Sequence, residues 1–263
     1  MAQETSKKTI ILIHGFRGTH HGLELIAQHL KGFKVIIPDL PGFAEGDTLP
    51  RYDLESYANW LDQFIQHQNL ENPPILLGHS FGSIVSAAYA AKHHDTIEKL
   101  ILVNPIGAPA LEGPRGILTK LAVFYYWLGT KLPGKLSHAW LSSVMVVDIM
   151  SKTMTKTKDK SLRKYIDDQH RQYFSRFHTS QSVSEAFATS VSNSVRDFAK
   201  KITTPTLLIA GTKDDITPLA KQKELRELFP DATLQIIEHV GHLTHYETPD
   251  QVAFFIEEFV KSA

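Results

Sequence analysis

The stretch ILLGHSFGS, residues 75–83, runs from an apolar segment directly into a serine held between two glycines. Its opening residues show no polar alternation, which marks a strand buried on both faces. Gly82 and the small residues after it read as the start of a helix. A strand that turns at once into a helix forces its hinge residue into a strained backbone conformation. The positions two before and two after the hinge must then be small. Gly78 and Gly82 meet that demand, and Ser80 between them stands clear at the carboxyl edge of a sheet. The helix that starts there directs free N–H groups at any negative charge that develops. On this stretch alone Ser80 has two readings, polar punctuation of a tight turn or a nucleophile.

The same strand pattern recurs. Residues 9–13, 33–37, 74–77, 100–103, 206–210 and 233–237 are short, β-branched-rich apolar runs that end in turn signals. Residues 23–30, 54–67, 82–93, 219–229 and 252–260 carry helical patterns between and after them. Such alternation predicts an α/β fold, a mostly parallel central sheet of about six strands flanked by helices. Residues 105–201 break the rhythm with helical patterns and no strand. Within them, residues 117–129 place Leu118, Leu121, Phe124, Tyr125 and Leu128 at helical spacing, and 161–174 and 182–198 also read as helices. The expected organisation is a core of residues 1–104 and 202–263, with an all-helical cap of 105–201 inserted before the last two strands. The Pro/Gly-rich residues 104–116 form the expected hinge, and residues 202–205 the re-entry.

The chain has 263 residues, 42% hydrophobic and 21% charged, enough for one large domain with an insertion. Lys+Arg 28 balances Asp+Glu 28, so neither nucleic acid nor an anionic membrane is an expected partner, a local patch aside. The absence of cysteine excludes disulfides, thiol nucleophiles and cysteine-bound zinc. No run of about eighteen apolar residues predicts a membrane span, and the N-terminus lacks the pattern of a secretory signal. The expectation is a cytoplasmic protein acting on a small molecule, without integral membrane association, as a monomer or homodimer.

A serine hydroxyl needs a base within hydrogen-bond reach before it can attack. Among 14 histidines, the pairs His20–His21 and His93–His94 lack metal-binding spacing, so no metal is expected. His242 lies in HVGHLTHYETP, residues 239–249, on a glycine-preceded loop after the last strand. His239 sits closer to the strand end and His245 leans into the next helix, which leaves His242 the better placed. The base needs an orienting carboxylate. AGTKDDITP, residues 210–218, offers Asp214 and Asp215, one for that role and one to cap the helix near Pro218. An oxyanion needs two N–H donors. Gly15 in IHGFRG, residues 13–18, lets the Phe16 N–H turn inward, and the Phe81 N–H after the serine supplies the second.

HGF (14–16), DLPGFAEG (39–46), GHSFG (78–82), GTKDDITP (211–218) and VGHLTHYETP (240–249) together resemble the α/β-hydrolase fold superfamily, in its serine-nucleophile form with a helical cap. The resemblance implies Asp214 as the triad acid and His242 as the base, and excludes a carboxylate at Asn104, the position some relatives use. Ala44 and Gly46 depart from the usual loop pattern. A first strand starting near Thr9 leaves no room for a two-stranded antiparallel edge. Such relatives are mostly carboxylesterases, lactonases, thioesterases and carbon–carbon hydrolases, and they need no cofactor.

The expected activity is therefore hydrolysis of a carboxylic ester with a small or medium apolar acyl group. Ser80, His242 and Asp214 are catalytic, and the aromatic stretch of the first cap helix, with Phe124, Tyr125 and Trp127, either lines the pocket or packs the cap onto the core. One alternative is carbon–carbon hydrolysis of a keto-acid, with Arg17, Arg163, Arg171 or Arg176 meeting its carboxylate. Another is a ligand-binding or signalling protein on the same scaffold. A further reading makes the helix of residues 117–129 a lid at a lipid surface.

Overall fold

A computed structural model describes residues 7–108 and 116–262. Six strands form one sheet: β1 (Thr9–Ile13), β2 (Lys34–Ile36), β3 (Ile75–His79), β4 (Lys99–Val103), β5 (Thr206–Gly211) and β6 (Ala232–Ile237). Every neighbouring pair is parallel, in the order β2-β1-β3-β4-β5-β6. The apolar runs of β1, β3, β4 and β5 are continuous because both faces are covered, whereas the edge strands β2 and β6 are partly exposed. Ile11 and Ile13 face the core shared with α2 (Leu54–His67) and α3 (Phe81–Ala90). Ile10 and Leu12 face the core shared with α1 (Glu24–His29) and the C-terminal helix α12 (Pro249–Lys261).

The chain leaves β1 toward β2, then returns to the other side of β1 as β3. Loops at the carboxyl ends of β1 and β3 therefore diverge, and an open α/β sheet has its crevice at such a reversal. Register places Ile13 opposite Gly78, so the turns carrying Phe16 and Ser80 leave the sheet side by side.

Between β4 and β5 the described residues form an all-helical cap. Its helices are α4 (Gly116–Lys131), α5 (Gly134–Leu141), α6 (Val144–Met154), α7 (Lys160–Tyr173), α8 (Ser180–Ser192) and α9 (Arg196–Ala199). The helix expected over 182–198 is two helices, because Ser194 donates through its N–H and hydroxyl to Asp197 and opens a new first turn there. Helices α10 (Leu219–Arg226) and α11 (Thr244–Glu247) complete the core after β5 and β6. Most of the expected hinge, residues 109–115, lies outside the described residues.

Two ties join cap to core. Arg17 is 1% exposed; its Nε donates to the Phe174 carbonyl at 2.7 Å, its Nη2 to Leu141 at 2.9 Å, and its Nη1 to the Tyr126 hydroxyl at 3.1 Å. Phe174 caps α7 and Leu141 ends α5. The guanidinium thus sits where the negative ends of two helix dipoles converge. The second tie explains the unusual loop at 39–46. Phe43 forms an antiparallel bridge with Phe177, and the Ala44 N–H donates to the Arg176 carbonyl at 2.7 Å, with Ala44 at φ +42°. Gly46 packs against the backbone of Asp39 and Leu40, leaving no space for a side chain.

Candidate active site

Ser80 occupies φ +52° and ψ −116°, a region that L residues rarely adopt. Two backbone bonds hold it there: its N–H donates to Val103 at 3.1 Å, and its carbonyl accepts from the Ser83 N–H at 2.9 Å. Such strain costs about 1–3 kcal/mol and persists only where the surroundings over-determine it. A Cβ on Gly78 would come within 2.5 Å of the Gly82 carbonyl, and one on Gly82 would strike the carbonyls of Ile13 and His14. The glycine demand read from the sequence is a backbone-to-backbone contact between β1, β3 and α3.

The three residues placed apart by the sequence meet at the carboxyl edge of the sheet. His242 Nε2 lies 2.7 Å from Ser80 Oγ, and its Nδ1 lies 2.8 Å from Asp214 Oδ2. Asp214 and His242 are both about 5% exposed or less. Burial alone would push the Asp214 carboxyl up. The charge and hydrogen bond of His242, then the bonds from Thr217, outweigh it and hold the group down to about 2. Its Oδ1 accepts from the N–H groups of Ile216 and Thr217 at 2.8 and 2.9 Å. Its Oδ2 accepts from Asn104 Nδ2 at 2.8 Å and from the Thr217 hydroxyl. A carboxylate with this many donors is fixed in both position and charge.

Asn104 and Thr217 are participants that the sequence reading missed. Asn104 stands at φ +47° at the end of β4, and its side-chain Oδ1 accepts from the Thr244 hydroxyl. Asparagine tolerates that backbone region better than most residues, and an Asp-x-x-Thr spacing favours a side-chain-capped turn. Those two signals were available. Asp215 is half exposed and pairs with Lys156 of the cap at 2.7 Å, which separates its role from that of Asp214.

The rival histidines are placed elsewhere. His239 is exposed at φ +65° on the turn after β6. His245 is buried, its ring 4.1 Å from that of His79, and its Nδ1 has no hydrogen-bond partner among the described residues. Burial, and after it the charge of His242, pushes the His79 imidazole down to about 3. Burial likewise holds His245 well below its ordinary value. Both pack behind His242 as neutral rings.

Phe81 begins α3, and Gly15 precedes Phe16 in the turn after β1. A Cβ on Gly15 would lie 3.2 Å from the Ser80 Cβ, so this turn passes directly beside the serine. His14 fixes the turn: its Nε2 accepts from the Leu40 N–H and its Nδ1 donates to the Gly15 carbonyl, both at 2.8 Å. Among the described residues no backbone bond engages the N–H of Phe16 or Phe81.

Ser80 and His242 open onto a cavity of about 190 Å³. Its apolar wall includes Phe16, Ile106, Met150, Met154, Phe174 and Leu243, and among the described residues no lysine or arginine lines it. Phe124, Tyr125 and Trp127, expected in this wall, do not line it. Phe124 is 57% and Trp127 51% exposed on the outside of α4, and Tyr125 packs on Trp140. The cavity is walled instead by α6, the end of α7 and the loops after β4 and β6, because α4 turns its Tyr126 side inward onto Phe16 and Phe187. Nor do the four candidate arginines face it. Arg17 clasps the cap, Arg171 pairs with Asp148, Arg163 donates to the Thr157 carbonyl, and Arg176 stacks on Tyr173. On the rim, His20, His21 and Glu24 bring one possible ligating atom each within 4.8 Å. Hydrogen bonds account for that grouping: His20 Nδ1 meets Asp39 and His21 Nδ1 meets Glu24, each at 2.9 Å.

Comparison with known proteins agrees with this architecture. The family described as alpha/beta hydrolase fold matches residues 8–249. Lipase 1 of Psychrobacter immobilis is 27% identical over 253 residues, covering 93% of this chain and 74% of that protein. A pimeloyl-[acyl-carrier protein] methyl ester esterase of Neisseria meningitidis is 23% identical, covering 97% of this chain and 94% of the other. A thermophilic esterase from Thermogutta terrifontis superimposes with a TM-score of 0.79 at 22% identity, over 97% of this chain and 90% of that one. With its wholly parallel sheet, helical cap and edge-mounted serine, the chain belongs to the α/β-hydrolase fold family, and esterases and lipases are among its homologues.

Proposed function

We propose that the protein is a serine hydrolase that cleaves neutral carboxylic esters of small or medium apolar acyl groups through an acyl-enzyme. The observation that carries this reading is the chain of contacts from Ser80 Oγ to His242 Nε2 at 2.7 Å and from His242 Nδ1 to Asp214 at 2.8 Å. Ser80 attacks the ester carbonyl while His242 Nε2 takes its proton, and Asp214 holds the Nδ1–H tautomer that leaves Nε2 free to accept. The N–H groups of Phe16 and Phe81 bind the oxyanion. His242 returns the proton to the departing alcohol, and water, deprotonated by the same nitrogen, discharges the acyl group. Residues 1–104 and 202–263 act as the catalytic core, and residues 105–201 as the cap that shapes the acyl pocket.

The cavity wall supports this substrate class. A keto-acid would bring a carboxylate into a space with no lysine or arginine among the described residues of its walls, and an unpaired buried charge is costly. A neutral acyl chain suits the aromatic, methionine and aliphatic surface that makes up most of the wall. Ser80→Ala is expected to lose about 10³-fold or more in kcat/KM on a soluble short-chain ester while keeping its circular dichroism spectrum. Equal turnover by wild type and variant would overturn the assignment, and absence of turnover in wild type across an ester panel would favour a binding role.

A further inference from the structure

The aromatic residues displaced from the pocket pose their own question, because three successive cap helices expose large apolar side chains. On α4 these are Leu121, Phe124 and Trp127, exposed by 51–60%. Leu136 and Trp140 are exposed on α5, and Met145 and Ile149 on α6. Helices α4 and α5 meet, since the Trp140 indole N–H donates to the Tyr125 carbonyl at 3.1 Å and the Tyr125 hydroxyl donates to the Trp140 carbonyl. Single exposed leucines are ordinary, but side chains of this size on consecutive helices mark a contact surface.

Charge identifies the partner. Residues 116–158 contain six lysines, of which Lys156 is paired with Asp215, no arginine, no glutamate and one aspartate, in a chain whose formal charge is zero. The aspartate, Asp148, is already paired with Arg171. Lys120, Lys131, Lys135 and Lys152 are all exposed, and Lys131 Nζ lies 5.8 Å from the centre of the Trp127 ring. On α4, Lys120, Phe124, Trp127 and Lys131 follow one helical face, with a cation at each end of the apolar row. Protein–protein interfaces favour arginine and deplete lysine. Lysine beside tryptophan, phenylalanine and leucine is instead the composition of a helix lying in the headgroup layer of a membrane, where the stem stays apolar and the ammonium reaches phosphate.

We infer that the outer face of α4, α5 and α6 docks on the surface of an anionic phospholipid bilayer. Helix α6 also places Met150 and Met154 in the cavity wall, so the docked face and the cavity beside Ser80 lie on two sides of one helix. The inference stands on surface composition and does not depend on what Ser80 does.

Flotation of the full chain with vesicles tests it. The protein is expected to float with phosphatidylcholine vesicles containing phosphatidylglycerol, and not with pure phosphatidylcholine. Its tryptophan emission shifts to the blue on binding, because Trp127 and Trp140 leave water while Trp60, 7% exposed, is already buried. Replacing Lys120, Lys131 and Lys135 by glutamine lowers partitioning roughly fivefold for each charge removed. The triple change Leu121→Ser, Met145→Ser, Ile149→Ser lowers it roughly tenfold or more, with far-UV circular dichroism reading the fold. The lysine set removes no core packing, so it decides the matter if the triple variant unfolds. Equal flotation with neutral vesicles, no flotation with either, or a dimer that Leu121→Ser dissociates would each overturn the inference.

Discussion

Ser80 combines a strained backbone with a short bond to His242, and Asp214 behind it is held by donors from three separate loops. Asn104 comes from the end of β4, Thr217 from the turn after β5, and His242 from the turn after β6. The carboxylate therefore fixes the imidazole from a position that cannot rotate. An amide at this position would change the chemistry as well as the charge, since it can present an N–H to Nδ1 and favour the tautomer that blocks Nε2. Asp214→Asn is expected to lower kcat by about 10⁴-fold with little change in KM. Steady-state kinetics on a soluble ester check this, and a loss smaller than tenfold would mean that Asp214 does not orient the base.

Cations placed at helix ends organise the elements. Lys99, at the start of β4, donates to the Phe259 and Ser262 carbonyls at the end of α12. Arg17 does the same for α5 and α7, and so fastens the cap over the mouth of the cavity. Replacing Arg17 by Met would leave two buried carbonyls unpaired and remove the charge that compensates two dipoles. The expected cost is about 3 kcal/mol of unfolding free energy, read as a lowered urea midpoint at unchanged m-value. An unchanged midpoint would show that the cap is held by its apolar contacts alone. Nothing in the sequence around Arg17 announced this role, because its partners are carbonyls more than a hundred residues away. The inner strands are legible because burial on both faces writes an unbroken apolar run, and Gly78 and Gly82 are legible because close backbone approach leaves few choices. Phe124 and Trp127 were misread for a related reason. An apolar helical stripe records that a surface avoids water but not which surface it meets. The two helices within 182–198 were joined in the reading because a Ser-x-x-Asp cap inside a helical pattern is a local competitor that periodicity does not weigh.

For the molecule as a whole, four histidines are buried with their imidazoles pushed down. Burial does this first in every case, taking His79 to about 3 and His170 to about 4, and lowering His14 and His245 as well. In the unfolded chain each titrates near 6.5. Between that pH and its folded value, the unfolded state binds a proton that the native state does not. Stability is therefore full above about pH 6.5 and falls as the pH drops, by roughly 1.4 kcal/mol per pH unit for each histidine involved. Asp214 acts lower down. Its depressed carboxyl contributes stability above about pH 4 that is lost as the pH falls toward 2. Urea unfolding between pH 7 and 5.5 is expected to show a falling midpoint above the range in which ordinary carboxylates titrate, and a flat profile over that range would contradict burial of these rings as neutral species.

The central claim is that Ser80 is an activated nucleophile, and intact mass after treatment with a fluorophosphonate tests it most directly. One equivalent of adduct on the wild type, and none on Ser80→Ala, is the predicted result. No adduct on the wild type, or equal labelling of both proteins, would contradict it.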